Sequence, residues 1–147
     1  AKASSSIPPP AGTANATKEE VPTRKIAIDA INGLVKKHSV NYDAITQYFI
    51  DNYNASGFEE IPPVKHDGVI EDVNDWSGKM NVIGVQIADI KQVYANDISV
   101  IEPYIAQIWE MAHLDGVVCE HATDVPFDQL DEVMPALLAL HTQCMGA

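Results

Sequence analysis

The chain has 147 residues, with nine Lys plus Arg against twenty-one Asp plus Glu and a formal net charge of −12. That length suits one domain with a real core, and the acidic balance disfavours nucleic acid and anionic membrane surfaces as partners. No apolar run approaches the ~20 residues that span a bilayer, and a single arginine, Arg24, argues against a site that clamps anionic substrates with guanidinium forks.

The first residues read as a leader. Ser4–Ser6, Pro8–Pro10 and a run of small residues and Thr up to position 22 cannot bury a core, so residues 1–22 are expected to be a disordered Ser/Pro-rich leader or linker and 23–147 the folded domain. A first residue other than Met is read as a sign of processing or trimming. Two sequons, at Asn15 and Asn54, are candidate glycosylation sites. Together with two cysteines, Cys119 and Cys144, they suggest a secreted, extracellular or cell-surface protein. Pairing of Cys119 with Cys144 is expected to close a loop of roughly 26 residues, stabilising by about 3–4 kcal/mol in the chain-entropy model.

A first helix is predicted after Pro22 and Thr23, running to about Lys37, with Ala27, Ile28, Ile31, Leu34 and Val35 on one face. A second begins from a cap at Ser39 or Asn41, carries Ile45, Tyr48, Phe49 and Tyr53, and stops at Ser56-Gly57. Pro62 and Pro63 make the next passage stiff and non-helical, and Asp67 is expected to cap the third helix.

The central prediction is that third helix, a long one over about 69–96. Val69, Val73, Trp76, Met80, Ile83, Ile87, Ile90 and Tyr94 step alternately by four and three, the stripe of one helix face. Apolar residues off the stripe, Ile70, Val82, Val85 and Val93, point to burial on several sides, hence to the middle of a bundle rather than an intermolecular coiled coil. Ser77-Gly78 is the expected kink, and Gly84 with Ala88 would admit a neighbouring helix closely.

A fourth helix is predicted from a capping box at Ser99–Glu102, with Pro103 in the first turn or so and Ile101, Ile105, Ile108, Trp109 and Ala112 facing inward up to a stop at Asp115-Gly116. The last helical region opens near Asp124 and Pro126 and carries Phe127, Leu130, Met134, Leu137, His141 and Cys144, with Pro135 expected to kink or break it near Val133–Met134. The fold class is therefore all-α, a bundle of about five helices.

Chemistry is poorly signalled. Glu110 and His113 form a single Glu-x-x-His pair, a weak metal candidate because di-iron bundles need two such pairs and two further glutamates. Cys119, Glu120, His121 and Asp124 lack metal-ligand spacing, and His141 on an apolar stripe reads as a core-edge histidine. No catalytic residue, metal or cofactor is assigned, and the chain is read as a non-enzyme. The leading functional expectation is a secreted protein that binds an apolar small molecule (a fatty acid, sterol or other lipid) between its helices, lined by Tyr48, Phe49, Trp76, Met80, Ile83, Ile105, Trp109, Met134 and Leu137. The alternative is an interaction protein, a cell-surface component or host-directed effector, using its acidic face or an apolar groove against a partner with a basic surface. The acidic face is the stretch after Lys91, which holds nine carboxylates from Asp97 to Glu132 and no Lys or Arg.

Overall fold

The computed structural model describes residues 12–146, with side chains from Thr23 onward. Five helices carry the fold: α1 (Gly12–His38), α2 (Tyr42–Tyr53), α3 (His66–Val93), α4 (Ile98–Trp109) and α5 (Leu130–Gly146). The expected all-α bundle is correct, and α3 lies at its centre, packed on α1 and on α5, with α4 laid against α5.

Helix α1 starts at Gly12 rather than after Pro22. The segment before Pro22 contains Ala14, Ala16, Lys18, Glu19 and Glu20, good helix formers whose propensity outweighs the one hydrogen bond that an interior proline removes. The remainder of the expected leader, residues 1–11, lies outside the described residues. At the other end Ser39 takes a positive φ of 56°, so the cap of α2 falls to Asn41, whose side chain accepts from the Asp43 amide at 2.9 Å. Asn54, with a φ of 52°, closes α2 before Ser56-Gly57 is reached.

Helix α3 runs unbroken through Ser77, Gly78 and Gly84. Asp67 lies inside its first turn instead of capping it, and Lys65 occupies the cap position without a side-chain bond. The 3–4 stripe does what its spacing implies: Val69, Val73, Trp76, Met80, Ile83 and Ile90 are all buried. Tyr48 of α2, with Trp76 of α3 and Phe127, forms an aromatic knot whose ring centroids lie 5.6–6.0 Å apart. Lys79 closes its edge, pairing with Asp75 at 3.0 Å and with Asp131 of α5 at 2.9 Å while its ammonium sits 5.1 Å from the Phe127 ring centre.

Helix α4 begins one residue after Asp97, so Ser99 is already helical and the expected capping box does not form. The chain then leaves the helix after Trp109, earlier than Asp115, and makes a hairpin that the sequence periodicity does not predict: β1 (His113–Leu114) pairs antiparallel with β2 (Val117–Val118). Asp115 and Gly116, at φ 52° and 79°, supply the two left-handed residues that a tight hairpin turn requires. The outer edge of β1 is covered by one side chain. The Gln129 amide accepts from the His113 N–H at 2.8 Å and donates to the His113 carbonyl at 2.7 Å, in the manner of a neighbouring strand.

Helix α5 is continuous through Pro135, its sixth residue, so the expected break does not occur. The expected disulfide does not occur either: both cysteines are free and buried. The Cys119 amide is held by the Ala112 carbonyl past the C-terminal end of α4, whereas Cys144 lines a cleft with Val100 and Ile101 near the N-terminal end of that helix. The rise of α4 from Ile101 to Trp109 separates those levels by ~12 Å, and a disulfide needs Cα atoms within about 7 Å.

Candidate functional site

The nine residues expected to line an internal ligand cavity are brought together, and what they form is the packed core. Tyr48, Phe49, Trp76, Met80, Ile83, Ile105, Trp109 and Leu137 are buried in one cluster, with Met134 packed against it. The Tyr48 hydroxyl, deep in this core, donates to Asp72 Oδ2 at 2.7 Å and lies 3.4 Å from the Tyr53 hydroxyl. Burial first, then these two partners, pushes the phenol above its ordinary value. The Trp76 indole N–H is buried with no acceptor.

The polar candidates are scattered. Helix α4 ends at Trp109, so Glu110 and His113 do not share a helix face; Glu110 caps α4 and His113 belongs to β1, both exposed. His121 meets Asp124 at 3.5 Å on the surface. The Cys119 thiol donates to the Asp124 carbonyl at 3.4 Å. Burial, with the Asp124 charge as the lesser cause, pushes it up to about 11, so it is a thiol at neutral pH and not a nucleophile. His141 bonds Asp89 at 3.0 Å and pins α5 to α3. Among the described residues no group of three His, Cys, Asp or Glu side chains could hold a metal ion, and no helix is long and apolar enough to cross a membrane.

The feature that sequence reasoning missed lies between α4 and α5. Two clefts, of about 400 Å³ and about 330 Å³, share Tyr104, Leu140 and Gln143 and so make one continuous groove. Ile108, Ala136 and Leu140 line it, with Tyr104 and Met111 on the α4 side. Tyr104 is 56% exposed and Met111 50% exposed. The pairing of Met111 with Ala136 at one end, and of Ile101 with Cys144 at the other, shows that the two helices run antiparallel. A signal was present. In the sequence Val100, Tyr104 and Met111, the last just past the end of α4, form a second stripe one residue out of step with Ile101, Ile105, Ile108 and Ala112.

Glu110 precedes Met111 and Glu132 lies one turn before Ala136, both exposed, while Asp97 sits at the start of α4. Lys91, one turn before Tyr94, is the last Lys or Arg of the chain, and Lys79 pairs with Asp131 beside Glu132. A further cleft of about 320 Å³ is bordered by Ile105 and Trp109, but its rim is charged by Lys91, Glu102 and Glu120.

The chain matches no protein-family model, no curated protein and no solved structure.

Proposed function

We propose that this protein is a non-catalytic interaction module that docks a protein partner in the apolar groove between α4 and α5. One observation carries the reading: Val100, Tyr104 and Met111, three of the large apolar side chains left exposed outside the close-packed interior, border the same groove between two helices. An exposed strip of this kind costs solubility unless it is covered in use, and Tyr and Met are side chains that interfaces favour. The same division weighs against an apolar small molecule held among Trp76, Met80 and their neighbours, because entry there would require repacking the aromatic knot. We place the module outside the cell as part of this proposal. The support is its sequons, of which Asn54 is exposed at the end of α2.

The test compares partner capture by the parent, by Tyr104→Glu and Met111→Glu, and by Val64→Glu, a control at a residue 85% exposed in a distant loop. The groove variants lose the partner and the control retains it, all three remaining folded by circular dichroism. Partner capture unaffected by both groove variants would contradict the proposal. Release of a co-purified lipid from the parent protein would favour the small-ligand reading instead.

A further inference from the structure

We infer that the cleft between α2 and the β1–β2 hairpin binds a small aliphatic amine, its ammonium drawn to Asp43 and Asp115 and its stem laid on Ile50, Leu114 and Val117. The cleft holds about 400 Å³, a volume within the range of small-molecule sites. None of its lining residues borders the α4–α5 groove, so the two sites stand or fall separately.

Two walls build it. Asp43, Thr46, Gln47 and Ile50 follow one another at i, i+3, i+4 and i+7 along one face of α2. Opposite them, Leu114 and Val117 are the cross-strand pair next to the turn, so their side chains leave the hairpin on the same face. Asp115, the first residue of that turn, completes the rim. Ile50 is 47% exposed and Val117 67% exposed, so an apolar stem finds uncovered apolar surface on both walls.

Charge selects the sign from the lining itself. Asp43 and Asp115 are its only charged residues, and neither takes part in an ion pair among the described residues. A neighbouring cleft of about 180 Å³ shares Leu114 and Val117, and its charged residues, Glu120 and Asp124, are carboxylates too. The basic residues closest in sequence, Lys37, His38 and His113, line neither cleft.

Hydrogen bonding points the same way. Thr46 donates its only hydroxyl proton to the Tyr42 carbonyl at 3.2 Å, and Gln47 donates from its amide nitrogen to Asp51 at 2.8 Å. What the polar side chains have left to offer is mostly lone pairs. A ligand with N–H donors and a positive charge answers both features, whereas a carboxylate or phosphate would be repelled. A bare metal ion fits less well. Among the described residues no group of three His, Cys, Asp or Glu side chains could hold one, and the apolar walls supply no oxygen ligand.

The experiment follows amide 1H–15N shifts of the full chain during titration, at constant ionic strength, with pentylamine, 1-pentanol, pentanoate and ammonium chloride. Pentylamine moves the amides of residues 43–50 and 114–118 along a saturating curve. The alcohol and the carboxylate, with the same stem but no positive charge, do not. The double variant Asp43→Asn, Asp115→Asn weakens pentylamine by roughly tenfold, as two partly exposed ion pairs together allow. Asn tolerates the φ of 52° that Asp115 adopts, so the turn is kept. Ile50→Gln weakens binding by about threefold with both carboxylates in place. An equal response to ammonium chloride would show that the stem contributes nothing and would overturn the inference, as would pentylamine binding unchanged in the double Asn variant. A glycine-flanked lysine peptide that binds tighter than pentylamine would overturn the free amine and give the cleft to a lysine of a partner. No saturable response to pentylamine removes the site and leaves the α4–α5 groove untouched.

Discussion

Replacing Tyr48 by Phe keeps the ring that packs on Trp76 and Phe127 and deletes only the hydroxyl that donates to Asp72 at 2.7 Å. A hydrogen bond to a charged acceptor contributes about 1.5–3 kcal/mol. Asp72 is only half-buried, so water can take up the freed carboxylate oxygen, and the lower part of that range, about 1.5–2 kcal/mol, is expected. For a chain of this size each kcal/mol moves Tm by about 2–4 °C, so Tm should fall by roughly 3–8 °C. The pH dependence is a second, independent signature. The folded phenol holds its proton beyond its ordinary value of 10.0, whereas the unfolded chain releases it near there. Stability from this group is therefore complete below about pH 10 and declines above it, by about 1.4 kcal/mol per pH unit. Urea unfolding of parent and Tyr48→Phe, at neutral pH and at several values above pH 10, measures both effects. The variant should start lower and lose one proton's worth of alkaline slope. A variant within about 0.5 kcal/mol of the parent at neutral pH, or one that keeps the full alkaline slope, would refute the reasoning.

Contacts elsewhere in the bundle set further expectations. Intact mass should not change on addition of reductant, and Cys119 should react with a thiol reagent only after denaturant opens the core; a reductant-dependent mass would restore the disulfide. Gln129→Ala should lower stability by about 1–2 kcal/mol through loss of the paired bonds to His113, and amide exchange should accelerate in residues 113–118 ahead of the helices. Unchanged exchange there would mean that the Gln129 clamp contributes nothing. Lys79→Met retains the aliphatic stem but removes the links to Asp75 and Asp131. It should cost about 1 kcal/mol in low salt and less at 1 M, since the pair is partly exposed; a loss that does not diminish with salt would place the effect in packing.

How much of the fold was legible varies with the physical scale of each feature. The stripe from Val69 to Ile90 was readable because it repeats over about six turns, long enough that chance spacing cannot imitate it, and every stripe position up to Ile83 is buried. The five helices came from the same periodicity. The hairpin was illegible because two-residue strands are shorter than the period that betrays a strand; only Asp115-Gly116 hinted at it, and that pair also reads as a helix stop. The disulfide expectation came from counting cysteines, which carries no distance information, and the antiparallel run of α4 and α5 placed Cys119 and Cys144 at different levels. The capping box failed because the helix begins at Ile98, with Asp97 in the cap position, so Ser99 is already inside the first turn. The residues expected to line a ligand cavity lie together in the core, because the bulk and spacing that singled them out also mark a core. The groove escaped notice since its stripe on α4 interleaves with the inner one, and only the packing of α5 decides which of two adjacent stripes is covered.

The division between a packed interior and an exposed groove can be read directly from the four methionines. Met80 is buried in the core and Met134 is packed against it, whereas Met111 borders the groove and Met145 is exposed on the last turn of α5. With 13C-methyl methionine, the four methyl signals are followed as the captured partner and then a fatty acid are titrated in. The partner should shift Met111 while Met80 stays in place, and the fatty acid should leave Met80 unmoved. A shift of Met80 on addition of either ligand, with Met111 unaffected, would contradict a packed core flanked by a docking groove.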